Sequence, residues 1–332
     1  MIAERMQRFV LLFLSLLIPS LAIGSDREVA LWVLDLEGEI VIDGVSEPFY
    51  TKMGFPKEGE VILRTINLED TAVTDTQLTK VSNLPNLQRL ELNRTRLSNS
   101  GLTHVQGIVT LEKLYLERTG ITDSGLTSLT SLTRLRDLDL SETSIDGSGF
   151  ASLSMLGNLE RLDLQKTKVE GQHLSALAAF ATLKQLDLSH TPITDDGLRH
   201  VGELTKLEGL WLGSTKLTDS GLAHLRGLKN LRWITLDSTQ ITDASLAHLQ
   251  SLKKLSQIYV RKTAVTDAGI EYLTELPKLR ELWLSSTKIT AAALTHLETM
   301  TSLYLVNLTE TKISREGTRE LKQSLPTTTV VR

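Results

Sequence analysis

The side chains best able to do chemistry in this chain recur at a fixed spacing. Asp139, Asp163 and Asp187 stand 24 residues apart. Carboxylates lined up on one surface could hold a calcium ion, which takes several oxygen ligands, or work as a general acid and base. His104, His200, His224, His248 and His296 are separated by 24 residues or multiples of 24. Trp211, Trp233, Tyr259 and Trp283 form an aromatic series, with Tyr304 beyond it and Arg232, Arg261 and Arg280 interleaved. Such rings could bury or stack on a ligand, since tryptophan, tyrosine and arginine dominate binding hot spots. Other chemistries are absent. There is no cysteine, so there is no thiol nucleophile and no disulfide. No G-x-S-x-G elbow, glycine-rich phosphate loop or Walker motif occurs.

The spacing belongs to a repeat that must position all of these residues. Its clearest copy is LKQLDLSHTPITDDGLRHVGELTK, residues 183–206. The first leucine returns eleven times in register, at Leu63, Leu87, Leu111, Leu135, Leu159, Leu183, Leu207, Leu231, Leu255, Leu279 and Leu303. In the opening L-x-x-L-x-L, apolar fourth and sixth positions flank a different fifth, the period of two of a half-buried strand. In the second half Leu198, Val201 and Leu204 fall three apart, as on one face of a short helix. Thr194 and Asp195 precede that helix and can cap its free N–H groups. One copy cannot bury either apolar face, but a stack can, so this is a leucine-rich repeat. Strands stack at about 4.8 Å whereas helices need about 8–10 Å, so the stack bends into a horseshoe. The expected fold is an α/β solenoid with a parallel sheet on the concave face and short helices on the convex face. The ninth position is threonine in every copy, from Thr71 to Thr311, and is read as a ladder of hydroxyls satisfying buried carbonyls.

This frame ranks the candidates. Third and fifth positions point into the concavity, so Trp211, Trp233, Tyr259 and Trp283 fall on one surface in four consecutive repeats, with Tyr304 at the same end. Gly209 and Gly213 flank Trp211 and are expected to leave its ring uncovered. The bland alternative is that the rings tile a crowded sheet and pair across strands. The aspartates share the fifth position, but Leu-Asp-Leu is an ordinary strand solution and Arg161, Lys166 and Lys184 could balance them. The histidines lie on the helices, whose spacing of about 8–10 Å holds successive rings apart from one ion. No metal and no cofactor is expected.

The repeat resembles the 24-residue, GALA-like units of secreted bacterial leucine-rich repeat proteins, over about residues 63–326. It differs in carrying threonine where such repeats usually place a ladder asparagine. No F-box-like segment lies upstream, so the ubiquitin-ligase role of some GALA-type effectors is not implied. The cysteine of catalytic leucine-rich repeat ligases is missing too.

Residues 1–24 read as a secretory signal, with Arg5 and Arg8 ahead of an apolar run and Ala22-Ile23-Gly24 at a cleavage site. An uncleaved anchor is the alternative. Residues 25–62 carry a helix pattern at 28–36 and a strand pattern at 39–43, and are read as an N-terminal cap with Trp32, Phe49, Tyr50 and Phe55 in its core. Repeats 4 and 5 lose the T-D signal and are expected to be looser. Residues 327–332 (TTTVVR) read as a terminal cap strand. The 332-residue chain has 41% hydrophobic and 23% charged residues and a formal net charge of −4. That balance suits a soluble protein and disfavours a nucleic-acid binder, which needs a basic stripe. The expected role is non-enzymatic recognition of a protein or peptide on the concave face, by a monomer in the periplasm, cell envelope or medium. Glycan binding on that face and a structural envelope role are the alternatives.

Overall fold

The structure, a computed structural model, describes residues 25–332; the expected signal segment lies outside the described residues. Thirteen strands form one sheet in sequence order, as a stack of short repeats requires. Helix α1 (Asp26–Asp35) comes first, followed by β1 (Glu39–Ile42), which pairs antiparallel with β2 (Leu63–Asn67). From β2 onward the pairing is parallel and advances 24 residues per strand, as where Asp187 lies beside Trp211 and Tyr259 beside Trp283. The sheet ends at β13 (Thr329–Val331), parallel to Leu305–Asn307.

Each repeat is assembled by the same few bonds. Fourth- and sixth-position residues are buried along the whole stack, for example Leu186, Leu188, Leu210 and Leu212, each 0% exposed. Fully burying one such side chain contributes about 1.5–3 kcal/mol, so the core runs unbroken from α1 to β13. After each strand the eighth residue adopts the left-handed conformation, from Asp70 (φ 58°) to Glu310 (φ 58°), although none of the eleven is glycine. Threonine then closes the turn, and its hydroxyl donates to the carbonyl three residues back. Thr215 bonds Leu212 and Thr239 bonds Leu236, both at 2.6 Å. The hydroxyl ladder is therefore internal to each repeat.

Beyond the strand pairing, one recurring side-chain link between repeats lies at the start of the helical layer. The aspartate of T-D does not serve its own helix; its carboxylate reaches into the next repeat. Asp243 accepts from the Thr266 N–H at 2.7 Å and hydroxyl at 2.6 Å, and Asp267 accepts from Thr290 in the same way. The glycine that follows makes room for that carboxylate: a Cβ on Gly101, Gly221 or Gly269 would collide with Asp75, Asp195 or Asp243.

The helical layer is shorter and tighter than its pattern suggests. Several repeats hold a 3-10 helix, including Phe150–Leu153 and Gly171–Ala179 in repeats 4 and 5. A 3-10 helix is wound more tightly than an α-helix, and this geometry is not special to repeats 4 and 5, because repeats 1 and 3 use it as well. In the N-terminal segment Phe55 is buried and packs edge-on against Phe49 at 5.5 Å. Tyr50 was expected in that core but is 62% exposed, so it is not a core residue. Among the described residues no helix is long and apolar enough to cross a membrane.

Candidate functional site

A groove of about 910 Å³ is sunk in the face of the sheet that the helices leave open. Its strands are Gly209–Trp211, Trp233–Thr235, Gln257–Tyr259 and Glu281–Trp283. Their middle residues point into the core, and their outer residues therefore point into the groove. Trp211, Trp233, Tyr259, Trp283 and Arg261 all line it. The four rings are half-buried.

Two distinct arrangements make up this floor. Tyr259 and Trp283 occupy paired register positions and stack with centroids 5.5 Å apart and planes 14° from parallel. Arg261 reaches over both, its guanidinium carbon 5.8 Å from the Tyr259 centroid and 5.6 Å from that of Trp283. Asp237 fixes Arg261 through bonds of 2.8 Å and 2.6 Å, and this pairing raises the arginine further above its ordinary pKa. Burial, with the Glu281 carboxylate 3.4 Å from its hydroxyl, raises the pKa of Tyr259. The second arrangement surrounds Gly209. A Cβ there would lie 2.8 Å from the Trp211 ring and 3.4 Å from the Trp233 indole nitrogen. The expectation that Gly209 leaves Trp211 uncovered is thus corrected. The missing side chain lets the indole fold back over its own strand, with Trp233 beside it.

Three of the sequence-derived residues lie elsewhere. Arg232, Arg280 and Tyr304 line a second groove, of about 790 Å³, along the edge where the chain enters each strand. They occupy second positions of their repeats, one residue before the face-directed third position, and this offset separates them from the aromatic floor. His190 lines the aromatic groove and was missed. It stands in the left-handed turn after β7 (Gln185–Asp187), a position the strand pattern does not reach.

Toward the N-terminal half the same face is charged, its acids standing in the strands beside Arg89, Lys113 and Arg161. Asp139, Asp163 and Asp187 are in register on neighbouring strands, and each accepts from the backbone N–H two residues on, at 2.8, 2.9 and 2.7 Å. Burial raises all three carboxyl pKa values, and for Asp163 the neighbouring Asp187 charge helps push the value up to about 7. Among the described residues no cluster of histidine, aspartate and glutamate is placed to hold a metal ion. These carboxylates instead close turns. Beside them, Tyr115 donates to buried Asp137 at 2.8 Å. The other Asp137 oxygen has no hydrogen-bond partner, with Arg161 Nε 3.6 Å away. The histidine column stays on the helical layer, where Arg199 donates to His200 at 3.1 Å and His248 lies 2.6 Å from Arg226.

A parallel sheet built at 24-residue steps, with short helices behind it, defines an α/β leucine-rich repeat solenoid. Comparison with known proteins agrees. The "Leucine Rich repeat" family profile matches residues 109–129 and 181–200. An internalin (inlF) from Listeria monocytogenes is similar in structure, with TM-score 0.55 and 20% identity, over 82% of this chain and 89% of that one. A TDR receptor is similar at TM-score 0.58 and 18% identity, over 80% of this chain and 46% of its own. The plant peptide hormone receptor RGFR1, solved in complex with RGF2, matches at TM-score 0.53 and 16% identity, over 83% of this chain and 51% of its own. At these identities the likeness is one of fold. No curated protein is similar to the chain in sequence.

Proposed function

We propose that this chain is a recognition module that binds a protein or peptide on the inner face of its sheet, without catalysing a reaction. The observation that carries the reading is the groove of about 910 Å³ floored by Trp211, Trp233, Tyr259 and Trp283. Half-exposed indoles in a concavity match the composition of binding hot spots. The fixed Arg261 adds a cation that is already ordered, so a ligand loses less side-chain entropy on meeting it. That a peptide hormone receptor of this fold is solved with RGF2 supports a polypeptide as the ligand class. A glycan is the second reading, favoured by the near-parallel Tyr259–Trp283 stack, whose outer face could take a sugar ring. The working form is proposed to be an exported monomer, delivered by residues 1–24 to the cell envelope or beyond.

The test is capture from an envelope extract on residues 25–332, beside the Trp211→Ala/Trp283→Ala double variant, with circular dichroism on both. A protein retained by the first and lost by the second supports the reading. Retention of the same partner by both removes the inner face from the function.

A further inference from the structure

The edge groove breaks a charge pattern that the rest of that edge keeps. Along the strand-entry edge, second-position cations before repeat 9 are compensated by acids of a neighbouring repeat or of the N-terminal segment. Arg64 pairs with Asp43 at 3.0 Å, Arg136 and Lys184 both pair with Glu160 at 3.0 and 2.7 Å, and Arg232 pairs with Glu208 at 3.3 Å. Beyond repeat 8 the alternation stops. The next second positions are Ser256, Arg280 and Tyr304, and Lys254 and Lys278 stand immediately before the first leucines. Lys254 has only a neutral partner, Asn230 Oδ1 at 2.8 Å. Lys278 and Arg280 make no ion pair among the described residues. The groove of about 790 Å³ brings Arg232, Lys254, Lys278 and Arg280 together, with Tyr304 and hydroxyl side chains but no acid in its lining. Tyr304 is 63% exposed there.

The edge groove is also continuous with the aromatic one. A smaller pocket of about 330 Å³ lies between them, lined by Ser256, Gln257, Arg280, Glu281 and Tyr304. It shares Gln257 with the aromatic groove and Ser256, Arg280 and Tyr304 with the edge groove. An extended chain lying on the aromatic floor can therefore cross the sheet edge without leaving a concavity.

We propose that the edge groove of repeats 8–11 binds an acidic peptide segment, whose carboxylates meet Lys254, Lys278 and Arg280. The proposal rests on the polypeptide reading of the inner face and specifies the ligand further: one stretch seated on the rings and an adjoining acidic stretch over the edge. Arg232 keeps its Glu208 partner, so the uncompensated charge that favours an anion is that of Lys254, Lys278 and Arg280. The connection to the aromatic floor favours a chain over an isolated ion. Because these cations are exposed, added salt must weaken the contact.

The probe is fluorescein-labelled oligoglutamate titrated into residues 25–332 and followed by anisotropy, with oligolysine as the control of opposite charge. Oligoglutamate should bind and be displaced by salt, and oligolysine should not bind. Lys278→Glu/Arg280→Glu should weaken binding by about ten-fold or more, with the corresponding glutamine pair in between. Arg136→Glu, a compensated cation on the same edge, should leave it unchanged. Circular dichroism would verify each fold. Equal oligoglutamate binding by the charge-reversed variant overturns the proposal. So does competition by inorganic phosphate at matched charge, which would mark a simple anion site, or binding of dextran sulfate alone. Loss of the captured envelope partner in the tryptophan variant with oligoglutamate binding intact supports both readings. Unchanged capture with charge-dependent oligoglutamate binding overturns only the inner-face reading.

Discussion

Thr239 and Asp163 show how single side chains in this stack meet backbone demands that recur in every repeat. The Thr239 hydroxyl holds the Leu236 carbonyl at 2.6 Å, and the residue is only 7% exposed. Thr239→Val keeps the shape and strands that carbonyl, so a loss of about 1–3 kcal/mol is expected in urea unfolding. An unchanged midpoint would mean the hydroxyl is dispensable. Asp163 carries a pH dependence. Its folded pKa is raised from 3.8 to about 7, chiefly by burial and next by the Asp187 charge. The folded protein thus holds this proton more tightly than the unfolded chain does. The resulting stabilisation is complete below about pH 4 and is lost as pH rises through about 7. Asp163→Asn can still accept from the Gln165 N–H and has no proton to lose. Urea midpoints across that window should fall less with rising pH in the variant than in the parent. Parallel profiles would show that Asp163 titrates normally.

At the scale of the repeat, the aspartate–threonine link and the glycine that admits it form one device. The Asp243 carboxylate occupies the space a Gly269 Cβ would need, and Asp243 also holds both Thr266 donors. Ala293 holds this position one repeat on, beside Asp267–Thr290 bonds kept at 2.7 and 2.6 Å, so Gly269→Ala must shift the Asp243 carboxylate without breaking its bonds and is expected to cost about 1 kcal/mol. One repeat shows the remedy: Ser245 stands where glycine usually does, and its hydroxyl donates to Asp219 Oδ1. Gly269→Ser should accordingly be less destabilising than Gly269→Ala, although serine is larger. Thermal melts ranking alanine above serine would refute the device. The T-D-x-G motif is visible in the sequence and marks the helix start, but taken alone it assigns its aspartate to that same helix. A pattern within one repeat carries no sign that a side chain's partner lies 23 residues on. The same limit applies at the groove. Alternation put Trp211, Trp233, Tyr259 and Trp283 on one face, because a strand period of two determines the face. It gave no sign that Trp211 folds onto Gly209, which depends on ring rotamers, nor that second-position residues line a separate groove.

Across the whole molecule, the stack has two unlike halves on one face, charged before Trp211 and aromatic from it onward, joined only through neighbouring repeats. Helix α1 and strand β1 cover the leading edge, where Val29, Ala30 and Val33 are buried against the first repeats. In a quasi-one-dimensional stack each repeat is stabilised by its neighbours, so damage at one end should fade with distance. Val33→Asp places an unpaired charge in that end packing and exposes Ile40, Leu63 and Ile66 to water, all now 0% exposed. Amide hydrogen exchange should then accelerate most in β2 and the strand at Arg89–Glu91. The effect should decline along the stack and leave the strands bearing Tyr259 and Trp283 protected as before. Partner capture through the aromatic groove should survive the substitution. A uniform rise in exchange over all strands would instead show that the eleven repeats open as one cooperative unit, in which case the two halves of the face could not be altered independently.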